Sequence, residues 1–205
     1  MRLPCATHLV AFFECEDDAR RYLSQLHGRL ETFALALHPD KTRLLEFGRY
    51  ADTRRRARGN SKPETFDFLG FTHVCGKTRA GNYTVFRYTV RKRFTAKVKA
   101  IGEQLQVRMH DPVPKTGAWL RSVVQGHFNY YGVPMNSRRL GQFRCQVSRH
   151  WWRALRRRSQ RSKVTSERMK RLTDKWLPPA RIVHPYPTLR FDEGKRLPLR
   201  RSRMR

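Results

Sequence analysis

The sequence predicts an α+β protein made of a small mixed part followed by a larger, all-helical one. Three observations point there. Beyond about residue 91, apolar side chains recur at three- and four-residue spacing in successive runs broken by proline or glycine, the pattern of packed amphipathic helices. Between residues 66 and 90, two apolar, β-rich segments flank a turn around Gly76–Asn82, which reads as a hairpin. The charge is also divided. Residues 1–50 hold seven Lys/Arg against seven Asp/Glu, whereas residues 51–205 hold 38 against nine, the entire formal excess of +29.

Composition narrows the classes. A 205-residue chain can form one ordinary domain or two small ones, and 39% hydrophobic residues with 12 Phe argue for a folded core. A charge of +29 implies a polyanionic partner, with nucleic acid ahead of an anionic membrane surface. Cys5, Cys15, Cys75 and Cys145 are widely spaced and form no C-x-x-C pair, so neither a zinc site nor a disulfide framework is expected. No apolar run approaches the roughly 18–20 residues of a membrane helix, and no signal-peptide core begins the chain. The expectation is a soluble, cytoplasmic protein without membrane contact.

In chain order, Leu9–Phe13 reads as a short strand. A helix follows, its apolar stripe formed by Ala19, Tyr22, Leu23, Leu26, Leu30 and Phe33 after the acidic turn Glu14–Asp18. Leu35–Thr42 forms a proline-made turn, and Arg43–Gly48 is strand-like. Residues 49–65 read as a basic linker loop. Phe66–Val74 and Tyr83–Val90 are the strands of the hairpin. A helix over about 91–109 turns Phe94, Val98, Ile101 and Leu105 inward and ends at His110-Asp111-Pro112-Val113-Pro114. A helix over about 116–131 is followed by a third over about 137–159, with Leu140, Phe143, Val147, Trp151 and Ala154 or Leu155 inward. A short helix near Ser166–Trp176 leads into a proline-rich strap to Pro187, and residues 193–205 form a basic tail.

The chain is organised around Val123–Asn136. Trp119, Leu120, Val123, Val124, His127, Phe128 and Tyr131 share one helical face. Gly132 supplies a stop, Pro134 bars continuation, and Asn136-Ser137 can cap the next helix. Phe128 and Tyr131 are expected in the core. No cysteine or carboxylate cluster accompanies His127, so it is not read as a metal ligand. The helix after this corner carries Arg138, Arg139, Arg144, Arg149, Arg153, Arg156, Arg157 and Arg158. From residue 138 to 171 the only acid is Glu167. Solvated faces ordinarily mix charge signs, so a one-sign surface of this length points to phosphate contact. Of Trp151 and Trp152, one is expected to face the core and the other to rest on the surface or stack on a base.

The run Gln125-Gly126-His127-Phe128-Asn129-Tyr130-Tyr131-Gly132-Val133-Pro134 resembles the thumb/maturase segment, domain X, of group II intron-encoded reverse transcriptases. Other stretches agree in order. Leu37-His38-Pro39-Asp40-Lys41-Thr42, with the strand-like segment ending in Phe47-Gly48, is similar to the exit of the family's palm. Phe68-Leu69-Gly70-Phe71 resembles its primer grip. Trp176-Leu177-Pro178-Pro179 followed by His184-Pro185-Tyr186-Pro187 resembles the end of the maturases. The likeness spans about Val10 to Asp192. It implies a palm remnant (1–48), a linker (49–65), a primer-grip-like hairpin (66–90), a helical thumb/maturase domain (91–192) and a tail (193–205). Through it, Lys41 and Gly70 acquire a possible nucleotide or primer contact, although Lys41 reads equally as a surface lysine after a turn.

Reverse transcription requires two metal ions, Mg2+ in this family, held by carboxylates of the palm. The aspartate of an early strand and the Tyr-Ala-Asp-Asp turn are both absent from this chain. Asp17-Asp18 opens a helix, where carboxylates are explained by the helix terminus. No Gly-rich phosphate loop, Gly-x-Ser-x-Gly or His-Glu-x-x-His is present. No catalytic residue, metal ligand or cofactor is therefore assigned. The expected protein is the C-terminal part of such a reverse transcriptase/maturase, its upstream part lost by truncation, frameshift or a misplaced start. The expected partner is group II intron RNA, bound to assist splicing and mobility, with target DNA and an upstream reverse-transcriptase fragment as further possible partners. The residues expected at the RNA are Lys92, Arg93, Lys97, His127, Asn129, Tyr130, Arg138, Arg139, Arg144, Arg149, Arg153, Arg156 and Arg157. The alternatives are an RNA-directed DNA polymerase completed by an upstream segment, or a nonfunctional remnant.

Overall fold

The computed structural model describes residues 9–60, 62–158 and 164–186; the strap's last residue, Pro187, and the tail lie outside them. The fold is α+β, with helices α1 (Glu16–Glu31), α2 (Ala51–Ala57), α3 (Arg91–Val107), α4 (Val113–Tyr131), α5 (Ser137–Arg157) and α6 (Ser166–Trp176). Strands β1 (Phe66–Phe68), β2 (Phe71–Lys77) and β3 (Tyr83–Thr89) form an antiparallel sheet in the order β1-β2-β3. Contacts divide the chain into two units. The first comprises Met1–Leu69 and Val74–Val85, and the second Gly70–His73 and Phe86–Arg205.

The sheet differs from the expected two-stranded hairpin. Phe66–Val74 is not one strand, because Leu69 and Gly70 both take positive φ, 46° and 82°. That pair of angles is the signature of a two-residue type I′ turn, whose twist suits a tight hairpin. The chain therefore reverses at Leu69-Gly70, creating β1 and β2. The β2–β3 turn is the one expected: Thr78 N donates to the Asn82 carbonyl at 2.8 Å, and Gly81 takes a φ of 80°.

Three further expectations in the first unit are corrected. Leu9–Phe13 and Arg43–Gly48 form no strand. Their apolar content favours extended backbone, but a ladder needs a neighbouring strand's N–H and C=O groups, and the described residues place none beside them. The segment read as a linker loop contains α2. Its arginines are good helix formers, and Arg56 pairs with Asp52 one turn earlier at 3.1 Å. In α1 only Ala19 is buried; Phe12, Phe33 and Leu9 are well exposed, and the Tyr22 and Phe13 rings meet at a tilt, 5.1 Å between centres.

In the second unit, α3, α4, α5 and α6 enclose one core. It contains Val98, Ile101 and Leu105 of α3, Leu120, Val124 and Phe128 of α4, and Leu140, Phe143, Val147, Trp151, Ala154 and Leu155 of α5, closed by Met169 and Leu177. Helix α4 starts three residues before the expected position because Pro114 occupies the first turn, where its missing N–H is harmless. Two glycines permit close helix packing. A Cβ at Gly117 would lie 2.4–2.8 Å from the Trp176 ring, and one at Gly102 would lie 2.8 Å from His150 Nδ1.

The corner between α4 and α5 uses its residues differently from the expected caps. Gly132 ends α4 with an ordinary φ of −74°. Its lack of a side chain matters because a Cβ would sit 2.4 Å from the Phe128 carbonyl and 3.1 Å from Val183. Asn136 occupies the N-cap position without capping. Its side chain, fully buried, accepts from Thr89 N at 3.2 Å and donates to Thr89 Oγ1 and the Tyr131 carbonyl, each at 2.9 Å. The strap returns to this corner, where Val183 N and His184 N donate to the Gly132 carbonyl at 2.8 and 3.0 Å.

Candidate nucleic-acid interface

Helix α5 presents two opposed faces. At 100° per residue, Leu140, Phe143, Val147, Trp151 and Ala154 define the buried side, and Arg138, Arg149, Arg153 and Arg156 fall on the opposite one. All four arginines are exposed, as is Arg157 beside them. Among the described residues no carboxylate lies within ion-pair distance of any of the five. From Arg138 to Arg156 the stripe runs about 27 Å along the helix at the helical rise. It makes no contribution to the core, so packing does not account for it.

The remaining arginines of this helix have intramolecular tasks. Arg144 donates to the Pro178 carbonyl at 3.1 Å, to the Thr173 and Leu177 carbonyls at 3.3 and 3.4 Å, and to Asp174 at 3.1 Å. It thereby satisfies the Leu177 and Pro178 carbonyls just past the end of α6 and adds a second donor to Thr173, whose carbonyl already takes the Leu177 N–H. Arg139 lies 5.9 Å above the Phe94 ring and donates to Gln142. Arg158 binds the Asp111 carbonyl. The two tryptophans are committed as well: Trp151 is fully buried, and Trp152 donates its indole N–H to the Val164 carbonyl at 3.0 Å.

Helix α3 contributes exposed Lys92, Arg93 and Lys97. Arg93 and Lys97 lie one turn apart and line a cleft against α4 with Gly126, His127, Tyr130 and Tyr131; its volume is about 470 Å3. His127 is buried in an aromatic stack, 3.6 Å from the Phe143 ring centre and nearly parallel to it, and 4.5 Å from Tyr131. Its Nε2 is buried and makes no hydrogen bond among the described residues. Burial, then the charge of Lys97, pushes the imidazole down to about 4, so the ring is neutral at physiological pH. Burial also raises the Tyr131 phenol, against the opposing influence of Arg93.

The other expected contacts are distributed around this cleft or away from it. Tyr130 is half exposed and stacks on Phe71 at 5.8 Å. Asn129 is exposed, accepts from Gln125 Nε2 at 2.7 Å, and takes the His184 ring N–H on its carbonyl. The space before Gly70 is taken by the protein itself: a Cβ there would meet Tyr131 Oη at 2.9 Å and Arg93 Nη1 at 3.3 Å. Lys41 is exposed in the first unit, in the turn closed by its own N–H on the His38 carbonyl. Sequence reasoning singled out Arg93, Lys97, His127 and Tyr130 separately; that they share one cleft came from α3 and α4 both packing on α5 around one core.

Among the described residues no group of three His, Cys, Asp or Glu could hold a metal ion, and no helix is long and apolar enough to cross a membrane. No protein-family model, curated protein or solved structure matches the chain.

Proposed function

We propose that the protein binds structured RNA, specifically group II intron RNA, as the thumb and maturase part of an intron-encoded reverse transcriptase, assisting splicing and mobility. The observation that carries the RNA-binding reading is the arginine stripe of α5, opposite the core and free of carboxylates. Its work is electrostatic: each guanidinium that reaches a phosphate releases condensed counterions. The intron assignment is supported by the ordered motifs from Leu37-His38-Pro39-Asp40 to His184-Pro185-Tyr186-Pro187. The test is binding to a group II intron RNA, titrated across salt, against an unrelated duplex RNA of equal length. Preference for the intron RNA that survives moderate salt supports the proposal. Equal, wholly salt-sensitive binding would reduce it to a basic surface, and a flat salt response would refute it.

A second reading is favoured by the first unit, where Leu9, Phe12, Phe33, Leu35 and Leu44 are exposed around a helix that buries only Ala19. In it, a separate polypeptide covers these apolar side chains and supplies the metal-binding carboxylates of an RNA-directed DNA polymerase. Primer extension by the mixture but not by the chain alone would support this reading.

A further inference from the structure

The cleft between α3 and α4 has three properties that the arginine stripe lacks. It is a half-open groove whose volume, about 470 Å3, lies in the roughly 300–1,000 Å3 range of small-ligand sites. One wall carries two cations a turn apart, Arg93 and Lys97, and among the described residues no carboxylate lines the space. The other wall is aromatic: His127, Tyr131 and half-exposed Tyr130 continue a row of rings from Phe143 to Phe71.

Gly126 makes this combination informative. Glycine in the middle of a helix is disfavoured relative to alanine. Gly117 of the same helix has a packing reason, since Trp176 occupies the place of its missing side chain. Gly126 has none: a Cβ there would meet nothing within 4 Å. What its missing side chain provides is room in the cleft. A second observation is independent of this one. His127 lines the cleft and is more than nine-tenths buried, yet among the described residues its Nε2 has no hydrogen-bond partner.

We propose that this cleft receives a single unstacked nucleotide, its base against Tyr130 above Gly126 and its phosphate between Arg93 and Lys97. The proposal rests on the RNA-binding reading and adds the form the RNA must take. A continuous duplex keeps its bases stacked and offers only phosphates. A bulged or looped nucleotide offers a planar face and a phosphate together, the two chemistries the cleft walls supply. A free mononucleotide carries the same two groups.

The experiment uses the full chain and two RNA duplexes of equal length, one continuous and one with a single unpaired adenosine, at one fixed salt concentration. Stacking of one base predicts roughly tenfold tighter binding of the bulged RNA. Gly126→Leu fills the cleft without a clash at Cβ. It is expected to bring the ratio to about one while leaving affinity for the continuous duplex and its salt dependence unchanged. Lys97→Ala serves as the second variant, its side chain being exposed, and is expected to lower the ratio several-fold. Adenosine 5′-monophosphate, titrated by calorimetry against wild type and Gly126→Leu, separates a free nucleotide from one held within RNA. Tighter binding of the bulged RNA that is lost in Gly126→Leu supports the proposal. The proposal is overturned if wild type binds both duplexes equally, or if the preference persists in both variants. Displacement of the bulged RNA by polyglutamate to the same degree in wild type and Gly126→Leu would also overturn it, because charge alone would then account for binding. If neither duplex binds, the RNA reading fails separately. The cleft then stands only if adenosine 5′-monophosphate binds wild type and not Gly126→Leu, and falls otherwise.

Discussion

Replacing His127 by Phe tests how the centre of this molecule is built. The imidazole lies flat on Phe143 and against Tyr131, and its Nε2 is sealed from solvent without a partner. An unsatisfied buried polar atom costs about 1–3 kcal/mol. A phenyl ring retains the stacking and removes that atom. At neutral pH the variant is therefore expected to be as stable as wild type or more stable by about 1 kcal/mol. Below neutrality the difference grows. Burial and Lys97 hold His127 down at about 4, against an ordinary 6.5, so between these values the unfolded chain binds a proton that the folded chain refuses. Wild type has this contribution in full above pH 6.5 and loses it progressively as pH falls towards 4. The whole interval corresponds to roughly 3 kcal/mol.

His150 is lowered in the same direction, by burial and then Arg153, so wild type loses stability in acid from two histidines. The readout is consequently the difference between wild type and variant, followed by urea unfolding from pH 7.5 to 4.5. His127→Gln supplies the control: it should lose the same pH dependence without the gain at neutrality, because it keeps a polar group in the stack. The reasoning is refuted if His127→Phe keeps the wild-type acid slope. It is equally refuted by a loss of several kcal/mol at pH 7.5, which would mean that Nε2 has a partner worth keeping.

The other expectations separate fold from surface. Arg149→Ala should leave the melting temperature unchanged within about 0.5 kcal/mol equivalent, yet lower the salt slope of RNA binding by about one. Arg144→Met should do the reverse, with stability falling by about 2 kcal/mol as the carbonyls of Leu177 and Pro178 lose their donor, and RNA affinity unchanged in urea-free binding assays. Asn136→Ala removes the partner of Thr89 N–H and one of two donors to the Tyr131 carbonyl, which keeps the Val133 N–H, with an expected cost of about 2 kcal/mol in denaturant unfolding. Gly117→Ala drives a methyl group into the Trp176 ring and should cost about 1–3 kcal/mol, seen as a lowered thermal midpoint.

The sequence by itself determined the helices of the second unit. Their hydrogen bonds join residues four apart, and each buries one stripe, so a local pattern such as Leu140, Phe143, Val147 and Trp151 reports both the element and its inward face. It also determined the charge and its segregation, because those are sums over side chains. The strands were less legible. Leu9–Phe13 and Arg43–Gly48 have strand-like content, but a ladder is made by a neighbour that the local pattern does not contain. Phe66–Val74 hid a reversal that depends on two positive φ angles at Leu69-Gly70.

Only the tertiary structure decided which cations are engaged and which are free. Arg144 and Arg149 look alike in sequence, yet one holds the end of α6 and the other faces outward, since the carbonyls that claim Arg144 lie some thirty residues on. The same holds for Asn136, drawn from its cap position to Thr89, and for the cleft itself. Arg93 and Lys97 meet Gly126 and His127 only because α3 and α4 share a core. Contacts of this kind are set by long-range packing, which no local periodicity encodes.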